Sequence, residues 1–445
     1  MIQVTNHMQM MEMLANLEAE NAVYISYNSD ILDFTDRTKI ESYRLIIMAK
    51  NSIYELPIDT DWLIRLFVKA SKNTLFAQGK KIVCWNWKNF LSFCKGKYGA
   101  EFSFECSIID LKIIESFLGL KQSKPSSFGE CFNRLRDILD SGKWSEIQNI
   151  YKKIYLPMIL EVIPSMETTG ILDQQKLHAY YEIAGQENGR LLCFNAYNRG
   201  YVPHIITPEQ KSCFKPLNFD QIFVYFDFKS MEVKILNYLS KDSELDKICQ
   251  TDDIYKSVYE LIMKSPCDSA EKRNFCKSFF LPVFYGMSAN TLALNLELPT
   301  AAAESIVGRI KNIFSEAYAW IENYQAKAKE DKFVCDIFGK KRYLPEKEYK
   351  ARNFIVQSPA AIFCFEKLIM LHQKLKNIAT IAYNVHDGYM LYSTRENLKK
   401  TIITSQETLM SESVLFPNLK LGISCYAGRQ LVELKKINLP KQGNT

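Results

Sequence analysis

Residues 224–228, Val-Tyr-Phe-Asp-Phe, form an apolar run interrupted by one acid, Asp227, and apolar residues return at helical spacing from about Glu232 through Leu236. That pattern is a buried strand handing over to a helix, with a carboxylate left at the junction. An aspartate leaving a strand commonly serves a turn or caps a helix, so this segment alone specifies a junction and no chemistry. Its meaning depends on segments nearer the C-terminus.

At 445 residues, the chain has room for roughly two to four domains of about 150 residues each. With 47% hydrophobic and 13% aromatic residues it can fill sizeable cores and is globular. Its net charge of +6 suits an anionic partner but does not establish one. The 12 cysteines occur without a Cys-x-x-Cys pair and the 5 histidines are scattered. Neither a zinc site nor a disulfide framework is indicated, and free thiols in a reducing compartment are expected. The first 20 residues carry acids and lack a secretory layout, and no run of about 18 apolar residues is evident. A soluble, cytoplasmic protein without membrane contact is the expectation. Repeats and low-complexity tracts are absent.

Residues 20–118 read as mixed α/β, with strands at 22–27, 81–85 and about 102–109. A polar, turn-rich stretch comes next at 121–130, and Pro125 through Gly129 is the best linker candidate. From Trp144 to about Met166 the pattern is helical, with Ile147, Ile150, Tyr151, Ile154, Tyr155 and Met158 on one face. Pro157 is expected to kink or divide that helix.

Two later segments carry chemistry. Within residues 272–288, Arg273, Lys277, Leu281 and Tyr285 recur every four residues, which on a helix lines two cations and a ring along one stripe. Such a stripe can hold a triphosphate at one end and stack on a base at the other, or be a solvated basic face beside a core tyrosine. In residues 381–392, apolar alternation runs into Asp387-Gly388 and out again. A β-hairpin with an Asp-Gly type I′ turn is the expectation, its tip able to aim a carboxylate.

In this order the three segments resemble motifs A, B and C of the family A DNA polymerases, typified by bacterial DNA polymerase I and its phage relatives. Asp227 through Glu232 resembles Asp-Tyr-Ser-Gln-Ile-Glu, Arg273 through Gly286 matches Arg-x3-Lys-x7-Tyr-Gly, and Val385-His-Asp387 matches Val-His-Asp. Residues 251–255 resemble an intervening Asp-Ile-His segment, 338–345 resemble Gly-Arg-Arg-x-Leu-Pro, and 352–357 are similar to the phage-type Arg-Asn-Phe-x-x-Gln. The likeness covers about residues 150 to 430.

The resemblance implies an α/β (α+β multidomain) fold, a right-hand palm and fingers with an N-terminal RNase H-like exonuclease-type domain. It implies a degenerate exonuclease-like domain at 1–118, a linker and reduced thumb at 119–190, palm at 191–240 and 346–445, and fingers at 241–345. It also implies template-directed DNA synthesis from a primer, with dNTPs and primer-template DNA as partners and two Mg²⁺ ions as cofactors. Asp227, Asp387 and the Phe228 carbonyl would be metal ligands. Lys277 would be catalytic and, with Arg273, would grip the triphosphate. Tyr285 would close on the nascent pair, Leu281 would lie beside the sugar, and Glu232 would crowd a 2′ hydroxyl. Arg190, Arg352, Asn353, Gln357 and His386 would face DNA.

Departures from the family pattern bear on this picture. Pro282 falls inside the motif B helix, where a proline costs about 3 kcal/mol, and a kink is expected. Gly388 stands where the family has a third acid, Glu, and Leu281 where it has Phe or Tyr. Only residues 171–188 fill the space of a long helical thumb, which implies low processivity or a clamp-like partner. Residues 24–29 lack the Asp-x-Glu of an exonuclease and Asn89 replaces a second acid, leaving Asp30 and Asp33 as the only acids that could restore it. The Ser107–Asp110 stretch is loosely similar in layout to that domain. Proofreading is therefore not expected. A single-subunit RNA polymerase shares part of the pattern but calls for a small residue at 232, and a non-catalytic scaffold would need no intact acids and cations.

Overall fold

The computed structural model describes residues 1–29, 43–49, 52–57, 67, 78–88, 91, 106–120, 125–172, 174–183, 186–195 and 208–439. Strands β1 (Ile2–Gln3), β2 (Ala22–Ser29), β3 (Tyr43–Met48), β4 (Ile53–Pro57), β5 (Lys81–Cys84) and β6 (Ser107–Asp110) make a sheet in the order β1-β4-β3-β2-β5-β6. β2, β3 and β4 form an antiparallel meander, and β5 and β6 extend it in parallel from β2. A three-strand meander leading into two parallel strands is the RNase H-like arrangement expected for this region. Central parallel strands are buried on both faces, which is why Ile82, Val83 and Cys84 are all sealed from solvent. The third expected strand starts at Ser107, and residues 102–105, Asp30, Asp33 and Asn89 lie outside the described residues.

Within the linker candidate, Ser127 caps helix α1 (Phe128–Asp140), whose first two residues are Phe128 and Gly129. Ser127 Oγ accepts from the Glu130 amide at 3.1 Å, and the Glu130 carboxylate accepts from the Ser126 amide at 2.7 Å. This reciprocal cap explains why a polar, turn-like stretch can begin a helix.

Pro157 does not divide its helix. Residues 143–166 remain helical, with π-turns at Tyr151–Tyr155 and Met158–Val162 on either side of the proline. A proline strands the carbonyl four residues behind it. The wider turns absorb that mismatch: the Leu156 amide bonds to the Tyr151 carbonyl and the Ile163 amide to the Met158 carbonyl.

After this helix, β7 (Thr168–Leu172), β8 (Gln175–Glu182) and β9 (Leu192–Asn195) form a small antiparallel sheet. Leu172 pairs with Gln175, so two residues connect β7 to β8, and Gln174 takes a left-handed φ of 65°. The hairpin is tied to the N-terminal sheet by two ion pairs, Lys88–Glu167 at 3.0 Å and Lys112–Glu182.

The remaining strands are β10 (Gln221–Phe228), β11 (Phe333–Cys335), β12 (Lys341–Tyr343), β13 (Ala379–Val385), β14 (Gly388–Thr394), β15 (Ile423–Gly428) and β16 (Lys435–Ile437). β11 and β12 pair alone, and the others form an antiparallel sheet ordered β13-β14-β10-β15-β16. β10 is central, and alternation buries Val224, Phe226 and Phe228. The Phe228 ring packs edge-on against Phe363 and Tyr389, with centroids 5.3 and 5.9 Å away. Helices α2 (Met231–Ser240), α3 (Ile254–Met263), α4 (Ala270–Phe284) and α5 (Ala351–Lys374) surround this sheet's functional edge.

One apolar stretch is not evident from the sequence. Residues Glu348–Lys374 reach a hydropathy of 1.6 over an 18-residue window, enough by length and composition to cross a membrane. That window is 89% buried inside the protein, as a core helix is.

Candidate active site

β10 pairs with β14 so that Asp227 lies opposite Gly388, one residue from Asp387 at the neighbouring strand's start. The Phe228 amide bonds to the Asp387 carbonyl at 3.3 Å and locks the two strand ends together. Two acids far apart in the chain thereby sit on adjacent strands. Ser230 turns the chain in a left-handed conformation, φ 51°, and α2 begins with Glu232 in its first turn.

The β13–β14 hairpin differs from its expected turn. Val385 pairs with Gly388, so the two loop residues are His386 and Asp387, with His386 at φ 55°. Asn384 Nδ2 donates to the His386 and Gly388 carbonyls at 3.2 and 2.9 Å and stabilises the tip. Gly388 is already in the strand and lacks positive φ, so its missing side chain serves space and not turn geometry.

A cleft of about 730 Å³ opens between this sheet edge, α2 and α4. Asp227, Phe228, Glu232, Arg273, Lys277, Leu281, Tyr285 and Asp387, the residues expected at metal and nucleotide, all line it. Burial first, and then the Asp387 charge, push the Asp227 carboxyl up from its ordinary 3.8 to about 6, while Tyr225 and Lys277 oppose the shift. Asp387 is raised by burial as well, with Glu232 adding to it and Arg190 and Lys277 opposing. Two carboxylates that resist ionisation side by side suit a bound divalent cation, which takes oxygen ligands and would relieve the repulsion. The residues present fit such an ion.

α4 starts at Ser269, whose Oγ accepts from the Lys272 amide at 3.3 Å, and runs unbroken through Pro282 to Phe284. Pro282 does not end the helix: it still lacks the N–H that would bond the carbonyl four residues behind it, but only Val283 and Phe284 follow it in the helix. Arg273 Nε donates to Asp253 Oδ2 at 2.6 Å, and its guanidinium lies 5.4 Å from the Tyr255 ring centre. Lys277 is exposed. Tyr285 Oη donates to Glu232 Oε2 at 2.6 Å, and Arg190 pairs with Glu232 Oε1. The Glu232 carboxylate is held from both sides.

The residues expected to face DNA separate. Arg190 and His386 line a small pocket behind the cleft, with Arg190 reaching Glu232. Gly189-Arg190 lies in a turn after β8; Gly189 takes φ 82° with Lys340 and Ser358 against it. Asn353 and Gln357 sit half-buried on one face of α5; Gln357 Oε1 accepts from Asn188 at 3.4 Å, and Asn353 Oδ1 lacks a partner among the described residues. Arg352 turns inward instead. It is 8% exposed, donates to Gln325, Glu322 and the Phe284 carbonyl, and stacks over Tyr318.

Sequence reasoning places Asp253 in a family-like segment without giving it a role, and misses Tyr225. Asp253 precedes an apolar helix as N-caps do, accepting from the Tyr255 and Lys256 amides, and it also pairs with Arg273. Tyr225 shares a strand face with Asp227 by simple alternation.

In the N-terminal sheet Asp110 ends β6, in the stretch whose layout resembles an exonuclease domain. Its carboxylate accepts from the amides of Asn86, Trp87 and Lys112 at 3.0, 2.7 and 3.1 Å. Its own amide donates to Tyr151 Oη at 2.9 Å. Among the described residues no group of three or more His, Cys, Asp or Glu could hold a metal ion.

A sequence profile described as DNA polymerase family A matches residues 138–433. The thermostable DNA polymerase I of Thermus aquaticus is 25% identical over 203 residues, covering 42% of this chain and 24% of that protein. DNA polymerase I of Bacillus subtilis strain 168 is 25% identical over 247 residues, covering 51% and 28%. The chain spans about a quarter of the length of these curated relatives. The POL domain of Pol1 from M. smegmatis, solved in complex with DNA primer-template and dNTP, superposes with a TM-score of 0.76. That match covers 97% of this chain and 99% of the other at 15% identity, and it shows a common fold.

Proposed function

Because this chain belongs to DNA polymerase family A, we propose that it extends a primer 3′ end with deoxynucleotides on a DNA template. The observation that carries this reading is the convergence of Asp227, Asp387, Arg273, Lys277, Tyr285 and Glu232 on one cleft. Two divalent ions, taken as Mg²⁺, would be held by Asp227, Asp387 and the Phe228 carbonyl and would stabilise the attacking and leaving oxygens of the in-line displacement.

The chain's own residues do the rest. Lys277, exposed on the cleft side of α4, neutralises triphosphate charge, and Arg273 joins it after exchanging Asp253 for phosphate. Tyr285 offers a flat ring to the nascent base pair and Leu281 packs beside the sugar. Glu232, fixed by Arg190 and Tyr285, leaves no room for a 2′ hydroxyl, which favours DNA over RNA synthesis. Asn353 and Gln357 present amide groups to minor-groove acceptors common to every base pair, with His386 near the primer terminus. Arg352 supports α4 from behind.

Where a thumb would wrap product duplex, β7 and β8 are joined by two residues. Low processivity, or a partner acting as a clamp, is the consequence of that reading. The capped, three-times bonded Asp110 supports an N-terminal domain without proofreading. The bacterial relatives support a cytoplasmic setting, and the 352–357 pattern a phage-type one.

Primer extension with Mg²⁺, comparing dNTPs with rNTPs, tests the proposal. Wild type should extend with dNTPs, and Asp387→Ala should lose at least about a thousandfold in rate. Equal extension by both would refute the metal assignment. Glu232→Ala should incorporate ribonucleotides more readily, and unchanged discrimination would remove its assigned role. With excess trap DNA, single encounters should yield short products; long ones would refute the thumb argument.

A further inference from the structure

Gly388 and Tyr225 fit each other as a lock fits one key. A side-chain carbon placed on Gly388 would lie 2.2 Å from Tyr225 Oη, 2.7 Å from Cζ and 2.8 Å from Cε2. No residue with a side chain fits position 388 while Tyr225 stands where it does. Strand pairing keeps it there: β10 is held between β14 and β15, Tyr225 lies opposite Met390 and Tyr426, and its ring packs at 6.3 Å against Tyr426, a wall of the cleft. Two residues along the same strand face, Asp227 Oδ1 receives the phenol at 3.4 Å. That is longer than the roughly 2.7–2.8 Å of a fully formed hydroxyl bond, and such bonds tighten when substrate fills a site.

Resting on the proposed polymerase function, we infer that Tyr225 is a positioning residue for Asp227, its phenol occupying the space above Gly388 that a third acidic side chain would need. A neutral donor there orients the Asp227 carboxylate without adding charge to the Asp227–Asp387 pair. Tyr225 touches the ligand and not the reacting atoms, so its effect is on how well the carboxylate is aimed.

The test measures Mn²⁺ binding by electron paramagnetic resonance in complexes with a dideoxy-terminated primer and dNTP, where no chemistry runs, beside kcat and KM for extension. Tyr225→Phe keeps the ring and removes the donor. It should weaken Mn²⁺ binding several-fold and lower kcat about tenfold, with KM for dNTP little changed. Gly388→Ala, which pushes the phenol out of that space, should weaken Mn²⁺ binding at least as much. A Tyr225→Phe protein that melts as wild type does and matches it in both Mn²⁺ affinity and kcat overturns the inference, since a space-filling ring predicts that result. Failure of wild type to extend any primer, with Mn²⁺ affinity still dependent on the Tyr225 hydroxyl, overturns the function and leaves the positioning intact.

Discussion

Asp227 carries its cost before any metal arrives. An acid raised to about 6 in the folded state and lower in the unfolded one binds its proton more tightly when folded. Its ionisation therefore opposes folding, and its contribution to stability falls as pH rises through about 4 to 6 and stays low above that. Asp227→Asn removes the charge. In melts with chelator near neutral pH, the variant should unfold at a higher temperature than wild type, and the difference should shrink below about pH 4. A variant that melts lower at neutral pH would show that the site is not electrostatically loaded. Added divalent ion should stabilise wild type and do little for the variant.

Gly170 in β7 shows how tightly the hairpin is seated. A methyl there would meet the Phe214 ring at 2.5 Å and the Lys215 carbonyl at 2.8 Å, so Gly170→Ala should destabilise the protein by about 1–3 kcal/mol in urea melts. Wild-type stability in that variant would mean that the hairpin is free to shift. Elements of this kind are unevenly legible in the sequence. β10, α4 and β14 can be read because their periods are clean and their chemistry-bearing residues recur at fixed offsets. The turn at His386-Asp387 is expected one residue late because Gly388 looks like a turn glycine; only the contact with Tyr225 explains it. Pro157 reads as a kink or a division and Pro282 as a kink, yet both helices continue through them, the first by wide turns and the second for only two residues more. Arg352 looks like a DNA contact because spacing cannot distinguish a face turned to a groove from one turned to Tyr318 and Glu322. Tyr225 is equally hidden, since its role depends on what the next strand lacks.

At the scale of the whole molecule, the N-terminal sheet and the sheet that carries the carboxylates are joined through the small hairpin. Lys88 is 4% exposed and Glu167 14%, so their pair is close to a buried one. Removing one member of a buried pair leaves an uncompensated charge, worth roughly 3–5 kcal/mol. Lys88→Met should lower global stability toward that amount, while Lys88→Met with Glu167→Gln should recover part of it. Additive losses in a double-mutant cycle would show that the two side chains act independently.

Asp110 holds its corner of the N-terminal domain in one arrangement. Its carboxylate pins the turn after β5 and the first turn of the helix Leu111–Phe117. Swinging it away would release three amides in a buried setting, and the strand ends around it would loosen. A change that draws this carboxylate into another role would therefore pass through a less stable protein, and the side chain acts as a ratchet.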